Sequence, residues 1–247
     1  MGQVKSRVYL LTHTPNPEEA IALCAKLCYS DAEIKEIANG ISADKCAGFI
    51  KTLIKMNHLA PIEHASFTFG IEGVSRALLA QITRHRLASF CVKSQRYVGA
   101  KNEQGVFAYV VPPSIEALGE EAVLKFNSQM NTLQGWYNEW VDALGNAGEK
   151  SNEDARFVLP NACETKIIVT MNARELLHFF ELRCCFRAQW EIREVAWEMF
   201  RLVYKVAPNI FSLGGPSCIN HTCNEGKMSC GRSAESKKRF WEMTNGQ

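Results

Sequence analysis

The stretch Arg84-His85-Arg86-Leu87-Ala88-Ser89-Phe90-Cys91-Val92-Lys93-Ser94-Gln95-Arg96-Tyr97 holds the densest chemistry in the chain. Four cations, two serines and a histidine stand within fourteen residues. The planar fork of arginine matches phosphate bidentately, and serine adds a hydroxyl donor. The segment therefore points to a phosphorylated ligand, with a solvated charged face as the plain alternative. It leaves a helix that Ser75 is expected to cap, Arg76–His85, and reads as polar and irregular as far as Tyr97.

Upstream, Val8–Thr12 predicts a first strand. Asn16-Pro17-Glu18-Glu19 has the cap, proline and acids of a helix start, and that helix is expected to run to Cys28. Asp44–Lys55 predicts a second helix, with Phe49, Leu53 and Met56 at helical spacing. His58–His64 is turn-like and broken by Pro61. It leads into Ala65–Ile71, where Phe67, Phe69 and Ile71 alternate as in a half-buried strand.

Downstream, Phe107–Val111 reads as a short strand stopped by Pro112-Pro113, and Ser114 to Leu144 as a long helical region. Ser151-x-x-Asp154 resembles a capping box opening a short helix that carries Arg156 and ends at Pro160. Lys166–Met171 is a β-branched run and a predicted strand. One long helix is expected from Asn172 to Val206. Strands and helices do not alternate regularly, so a doubly wound parallel sheet is not indicated. The expected class is α+β: a single domain, residues 1–212, with a mostly antiparallel sheet flanked by long helices. Residues 213–247 read as a loosely ordered tail rich in Cys, Gly and Lys.

The chain has 247 residues, 47% of them hydrophobic, enough for a sizeable core. Net charge is +2, too balanced for a general nucleic-acid or membrane coat. An anionic ligand must therefore be met by local positive groups. No apolar run reaches the ~18 residues of a membrane span. Met1–Ser6 fits a loose myristoylation pattern but reads as an ordinary start, and a cytoplasmic location is expected. The ten cysteines are expected to be mostly small buried hydrophobes, Cys24 and Cys28 among them. Cys218, His221, Cys223 and Cys230 offer three thiols and one imidazole, but not at a standard zinc spacing, and no metal is expected.

Arg84-His85-Arg86, seven residues, then Ser94 is the signature of the flavin-dependent thymidylate synthases, and this segment resembles it; Arg96 and Tyr97 extend the match. Two further segments resemble the family in the right order. One is His58-x-x-Pro61-x-Glu63-His64 with Phe67-Thr68-Phe69. The other runs from Ala155-Arg156-Phe157-Val158-Leu159-Pro160 through Asn172-Ala173-Arg174 and Leu182-Arg183 to Ala188-Gln189-Trp190-Glu191-Ile192. The matches span roughly residues 50 to 200.

The resemblance implies reductive methylation of dUMP to dTMP. 5,10-Methylenetetrahydrofolate would give the carbon, and reduced FAD, regenerated by NADPH, the hydride. It implies a homotetramer with active sites between subunits. Arg84, His85, Arg86, Asn172, Arg174 and His178 would contact FAD, and His58 and Glu63 would line the flavin and folate side. Gln81, Arg84, Ser94, Gln95, Arg96 and Arg156 would hold dUMP. Arg183 would face the uracil ring as the activating cation. Nine residues separate Arg174 from Arg183, two and a half turns, which puts them on opposite sides of one helix. His178 shares the Arg174 face.

The chain departs from the family pattern at Ala60, at Val92-Lys93 and at Arg187. Each residue keeps a plainer alternative. Arg156, Arg174 and Arg183 suit surface ion pairs, Lys93 a solvated charge and His64 the core. Phe179, Phe180, Trp190 and Trp197 read as core or subunit interface. The competing reading of the whole is a nucleic-acid-binding module built on Arg84–Arg96.

Overall fold

The computed structural model of the protein describes residues 2–101 and 105–245. Met1 of the N-terminal pattern and residues 246–247 of the tail lie outside the described residues. Strands β1 (Arg7–His13), β2 (Ser66–Ser75), β3 (Ala88–Val92) and β4 (Glu164–Asn172) form one sheet in the order β1-β2-β4-β3. The pairing is antiparallel. Thr14 N–H donates to the Ser66 carbonyl and Lys93 N–H to the Lys166 carbonyl, each at 2.9 Å. The hydroxyls of Thr68 and Thr170 meet at 2.9 Å. Along β2, Phe67, Phe69 and Ile71 are buried while Ser66, Thr68 and Gly70 are half-buried, the period-2 pattern legible in the sequence.

The helices are α1 (Pro17–Leu27), α2 (Ile34–Asn39), α3 (Ala43–Lys55), α4 (Arg76–Ile82), α5 (Pro113–Glu116), α6 (Glu120–Ala143), α7 (Glu149–Ala155), α8 (Ala173–Arg183), α9 (Trp190–Val206) and α10 (Ser233–Asn245). With the antiparallel sheet they make the α+β fold that was expected. The chain folds as two compact units. One is Met1–Arg7, Ile71–Arg84 and Phe90–Ile168; the other is Val8–Gly70, His85–Ser89 and Val169–Gln247.

In the first unit Ser75 caps α4 as read, its Oγ accepting from Leu78 N–H at 3.1 Å. Lys93 is no free surface charge: its ammonium lies 3.2 Å from the buried Glu164 carboxylate. Phe107–Val111 is not a strand. Tyr109 makes single bridges to Gln3 and Cys163, and Pro112-Pro113, lacking N–H donors, end any ladder. Val106, Phe107, Tyr109, Val111, Met130 and Cys163 pack into one cluster, and Tyr137, Val141 and Ala155 into another. Ser151 does not open its helix. It sits buried inside α7, where its Oγ donates to the Leu144 carbonyl and accepts from Ala147 N–H, so it staples the α6–α7 turn.

In the second unit the core is aromatic. Phe67, Phe179, Phe180, Trp197, Phe200 and Phe211 are buried and meet mostly edge to face, with Phe67–Phe211 centroids 5.4 Å apart and Phe180–Phe200 5.6 Å. Trp190 is half-buried. Cys24 is half-buried and Cys28 exposed, so neither is a core residue. His64 is exposed rather than core.

The long helix expected from Asn172 to Val206 is two, α8 and α9. Gln189 caps the second by accepting from Glu191 and Ile192 N–H. The carbonyls freed at the break are bonded by side chains: Trp197 Nε1–H donates to Cys184 and Arg193 to Phe186 and Ala188. The tail expected to be loose is ordered through α10. Phe240 packs at a tilt against Phe200, centroids 5.5 Å apart, and Arg239 pairs with Glu194, whose carboxyl that guanidinium holds below the usual range.

Candidate active site

Three local features of the second unit bring side chains to one cavity. Pro61 bends the chain into a 3-10 turn, Ala60–His64, that leaves Glu63 exposed. Asn172 ends β4 and caps α8, its Oδ1 accepting from Glu175 N–H at 2.8 Å. Helical spacing then sets Arg174 and His178 on the outer face of α8. Glu63, Asn172, Arg174 and His178, with Leu59 and Leu87, line a cavity of about 710 Å³. Arg174 is ion-paired to Glu63 across it. Ser217, Asn220, His221 and Asn224 complete the wall. These four follow the last predicted helix, in a segment with no periodicity; sequence reasoning missed Ser217, Asn220 and Asn224 and weighed His221 only as a metal ligand.

An adjoining cavity of about 380 Å³ holds His58, Tyr29 and, again, Arg174. The His58 ring and the Tyr29 hydroxyl are 3.1 Å apart. Arg183 lies elsewhere, as the half-turn offset predicts. It lines a third cavity of about 350 Å³ with Arg187, Cys185, Cys218, Cys223 and Cys230. Among the described residues no group of His, Cys, Asp or Glu is arranged to hold a metal.

The arginine-rich segment is split. Arg84 and Arg86 are exposed, while His85 is only 5% exposed. His85 Nδ1 is 3.0 Å from Glu175 Oε1, and its Nε2 accepts from Arg183 Nε–H at 3.1 Å. Burial pushes the imidazole below its ordinary value, with Arg183 and His178 adding to the shift and Glu175 opposing it. Glu175, 6% exposed, was not among the expected site residues. Its signal was present: an acid in the first turn of α8 on the inward face, where an unpaired carboxylate is costly.

The first unit holds Gln81, Arg84, Ser94, Gln95, Arg96 and Arg156. Ser94 Oγ accepts from Arg96 N–H at 3.2 Å and shapes the turn. Arg96 is ion-paired to Glu149 and Glu153. Gln81 Nε2 donates back to the Ala77 carbonyl, Gln95 contacts Cys163 Sγ at 3.5 Å, and Arg156 bonds the Glu153 carbonyl. The loop carrying Arg96 is fixed from below: Asn152 donates to the Arg96 carbonyl at 2.9 Å and accepts from the Tyr137 hydroxyl at 3.1 Å. Gly99 permits this approach, because a Cβ there would stand 2.7 Å from Asn152 Oδ1.

An α+β fold with an antiparallel sheet carries cavities of cofactor size, lined by arginines together with carboxylates. The model of the family described as thymidylate synthase complementing protein matches residues 9–209, and the chain belongs to the flavin-dependent thymidylate synthase family. It is 51% identical to the flavin-dependent thymidylate synthase of Geobacter sulfurreducens, over 96% of this chain and 99% of that one. It is 49% identical to that of Clostridium tetani, over 95% and 96%. A crystal structure of a UMP/dUMP methylase, PolB, from Streptomyces cacaoi bound with 5-Br dUMP has the same fold. Its TM-score is 0.69 at 23% identity, covering 87% of this chain and 98% of that one. The reading of Arg84–Arg96 as a nucleic-acid module finds no support in these likenesses.

Proposed function

We propose that the chain methylates dUMP reductively to dTMP. The carrying observation is the 710 Å³ cavity at which Glu63, Asn172, Arg174 and His178 converge. A guanidinium, an imidazole and an amide beside the start of α8 suit a phosphorylated cofactor, and FAD is the one we assign. Arg84, His85 and Arg86 belong to the same cofactor set, and His58 and Glu63 line the folate side. Gln81, Arg84, Ser94, Gln95, Arg96 and Arg156 hold dUMP. Its phosphate dianion shares or displaces the Glu149 and Glu153 carboxylates at Arg96.

When bound, the reduced flavin supplies the hydride, with NADPH as its reductant and 5,10-methylenetetrahydrofolate as the carbon source. The chain's own part is positional and electrostatic. Arg183 faces the uracil ring and stabilises the negative charge that makes C5 nucleophilic. Its guanidinium keeps its proton throughout. No protein nucleophile is required.

We assign a homotetramer with active sites completed by neighbouring subunits. Trp136 and Trp140, one turn apart on α6 and 50% and 54% exposed, together with Phe157 at 84%, give an apolar surface that supports it. Residues 1–212 form the catalytic domain, and 213–247 is an extension supplying cavity wall; the family match, ending at 209, supports that boundary. The site is for small molecules, with no nucleic acid and no membrane partner. Among the described residues no helix is long and apolar enough to cross a membrane. A cytoplasmic location completes the reading.

The test is direct. The purified protein incubated with FAD, dUMP, methylenetetrahydrofolate and NADPH is expected to form dTMP. Flavin loading without any dTMP would reject the activity.

A further inference from the structure

We propose that Glu175 is a positioning residue for the reaction: it fixes His85 in the one tautomer that lets His85 orient the Arg183 guanidinium. The inference rests on the role given to Arg183 above and deepens it.

A carboxylate only accepts, so the 3.0 Å contact between Glu175 Oε1 and His85 Nδ1 requires a proton on Nδ1. A guanidinium only donates, so the 3.1 Å contact from Arg183 Nε to His85 Nε2 requires a lone pair on Nε2. Both hold together only for the neutral imidazole carrying its proton on Nδ1. The other neutral tautomer turns both contacts repulsive. The cation fails at the second, where Nε2–H would face Nε–H.

Each member is fixed. Glu175 is in the first turn of α8, its own N–H held by Asn172. His85 packs edge-on against the Phe179 ring at 4.9 Å. Among the described residues the charged or titratable groups facing His85 are Glu175, Arg183 and His178, whose ring lies 6.1 Å away. Arg183, at the C-terminal end of α8, is joined through His85 to the helix's first turn, two turns below. A long side chain with several free torsions is thereby held in one direction before substrate arrives.

The experiment compares Glu175→Ala, Glu175→Gln and Arg183→Ala, each with flavin and dUMP saturating. Glu175→Ala frees the tautomer, and kcat is expected to fall roughly tenfold to a hundredfold, as when a group orienting a functional histidine is removed. KM for dUMP should stay within about threefold, since the lost interaction grows with ring charge rather than with binding. Glu175→Gln keeps an acceptor toward Nδ1–H and is expected to recover most of kcat. It also removes the negative charge that favours protonated His85. The acid limb of its kcat profile should therefore move to lower pH, a shift that a purely structural role does not produce. If Glu175→Ala fails to fold, the Gln profile alone decides. An unmoved acid limb in Glu175→Gln, or wild-type kcat in Glu175→Ala, overturns the proposal. Wild-type turnover in Arg183→Ala overturns the Arg183 reading and this inference with it. Loss of turnover there, with both Glu175 variants behaving as wild type, overturns only the relay.

Discussion

Single residues carry this fold's tightest tolerances. Gly73 has φ +68, and a Cβ there would stand 2.1 Å from the Lys5 carbonyl oxygen. Neither the backbone conformation nor the contact tolerates a side chain, since the obstacle is main chain. Gly73→Ala is expected to lower the unfolding free energy by roughly 2–4 kcal/mol. Gly135→Ala is the control: that glycine lies inside α6 with open space around its Cβ position, and alanine should be neutral or add up to ~1 kcal/mol. Urea denaturation midpoints measure both, and equal midpoints would remove Gly73 from its role. The candidate set came from the resemblance to the family, which arginines at fixed intervals make visible in the sequence. Partners were not visible. Glu175 and His85 are 90 positions apart, and only the return of the chain through β4 to α8 puts them in contact.

Elements were legible where their period was long or their signals local. The alternation in β2, the Ser75 cap and the β-branched β4 are of this kind. β3 escaped because it is an edge strand of five residues between charged flanks, and its hydrogen bonds come from β4. The division of α8 from α9 escaped because no Gly or Pro marks it. Its signal is Gln189, a side chain capping two N–H groups, and the burial of Trp197 that fixes its indole on Cys184. The tail read as loose because it is rich in Gly, Lys and Cys. Its order comes from a few anchors: Phe240 on Phe200 and Tyr204, Arg239 over the Trp197 ring at 5.1 Å, and Arg187 to Glu225. Phe240→Ala removes aromatic contact worth roughly 1–2 kcal/mol. Amide exchange across Ser233–Asn245 should then quicken by about tenfold. Unchanged protection would mean that α10 is held by other contacts.

At the scale of the whole molecule the near balance of charge, +2 over 247 residues, is informative. A protein that binds anions without a general basic surface must place its cations locally, and the cavities of the second unit hold Arg174, Arg183 and Arg187, the first and last paired to Glu63 and Glu225. Family membership over residues 9–209 agrees with the activity, and a hydrogen-bonded line runs from Glu175 through His85 to Arg183, the residue to which we give the activating role. Methylation replaces the hydrogen at C5 of uracil, so release of tritium from 5-tritiated dUMP reports the step that Arg183 is proposed to assist. With flavin, folate donor and reductant present, the wild-type chain should release tritium. Arg183→Ala, with its flavin absorbance intact, should do so ~10²–10³ times more slowly, the usual loss for one preorganised charge contact. Release from that variant at the wild-type rate would contradict the account.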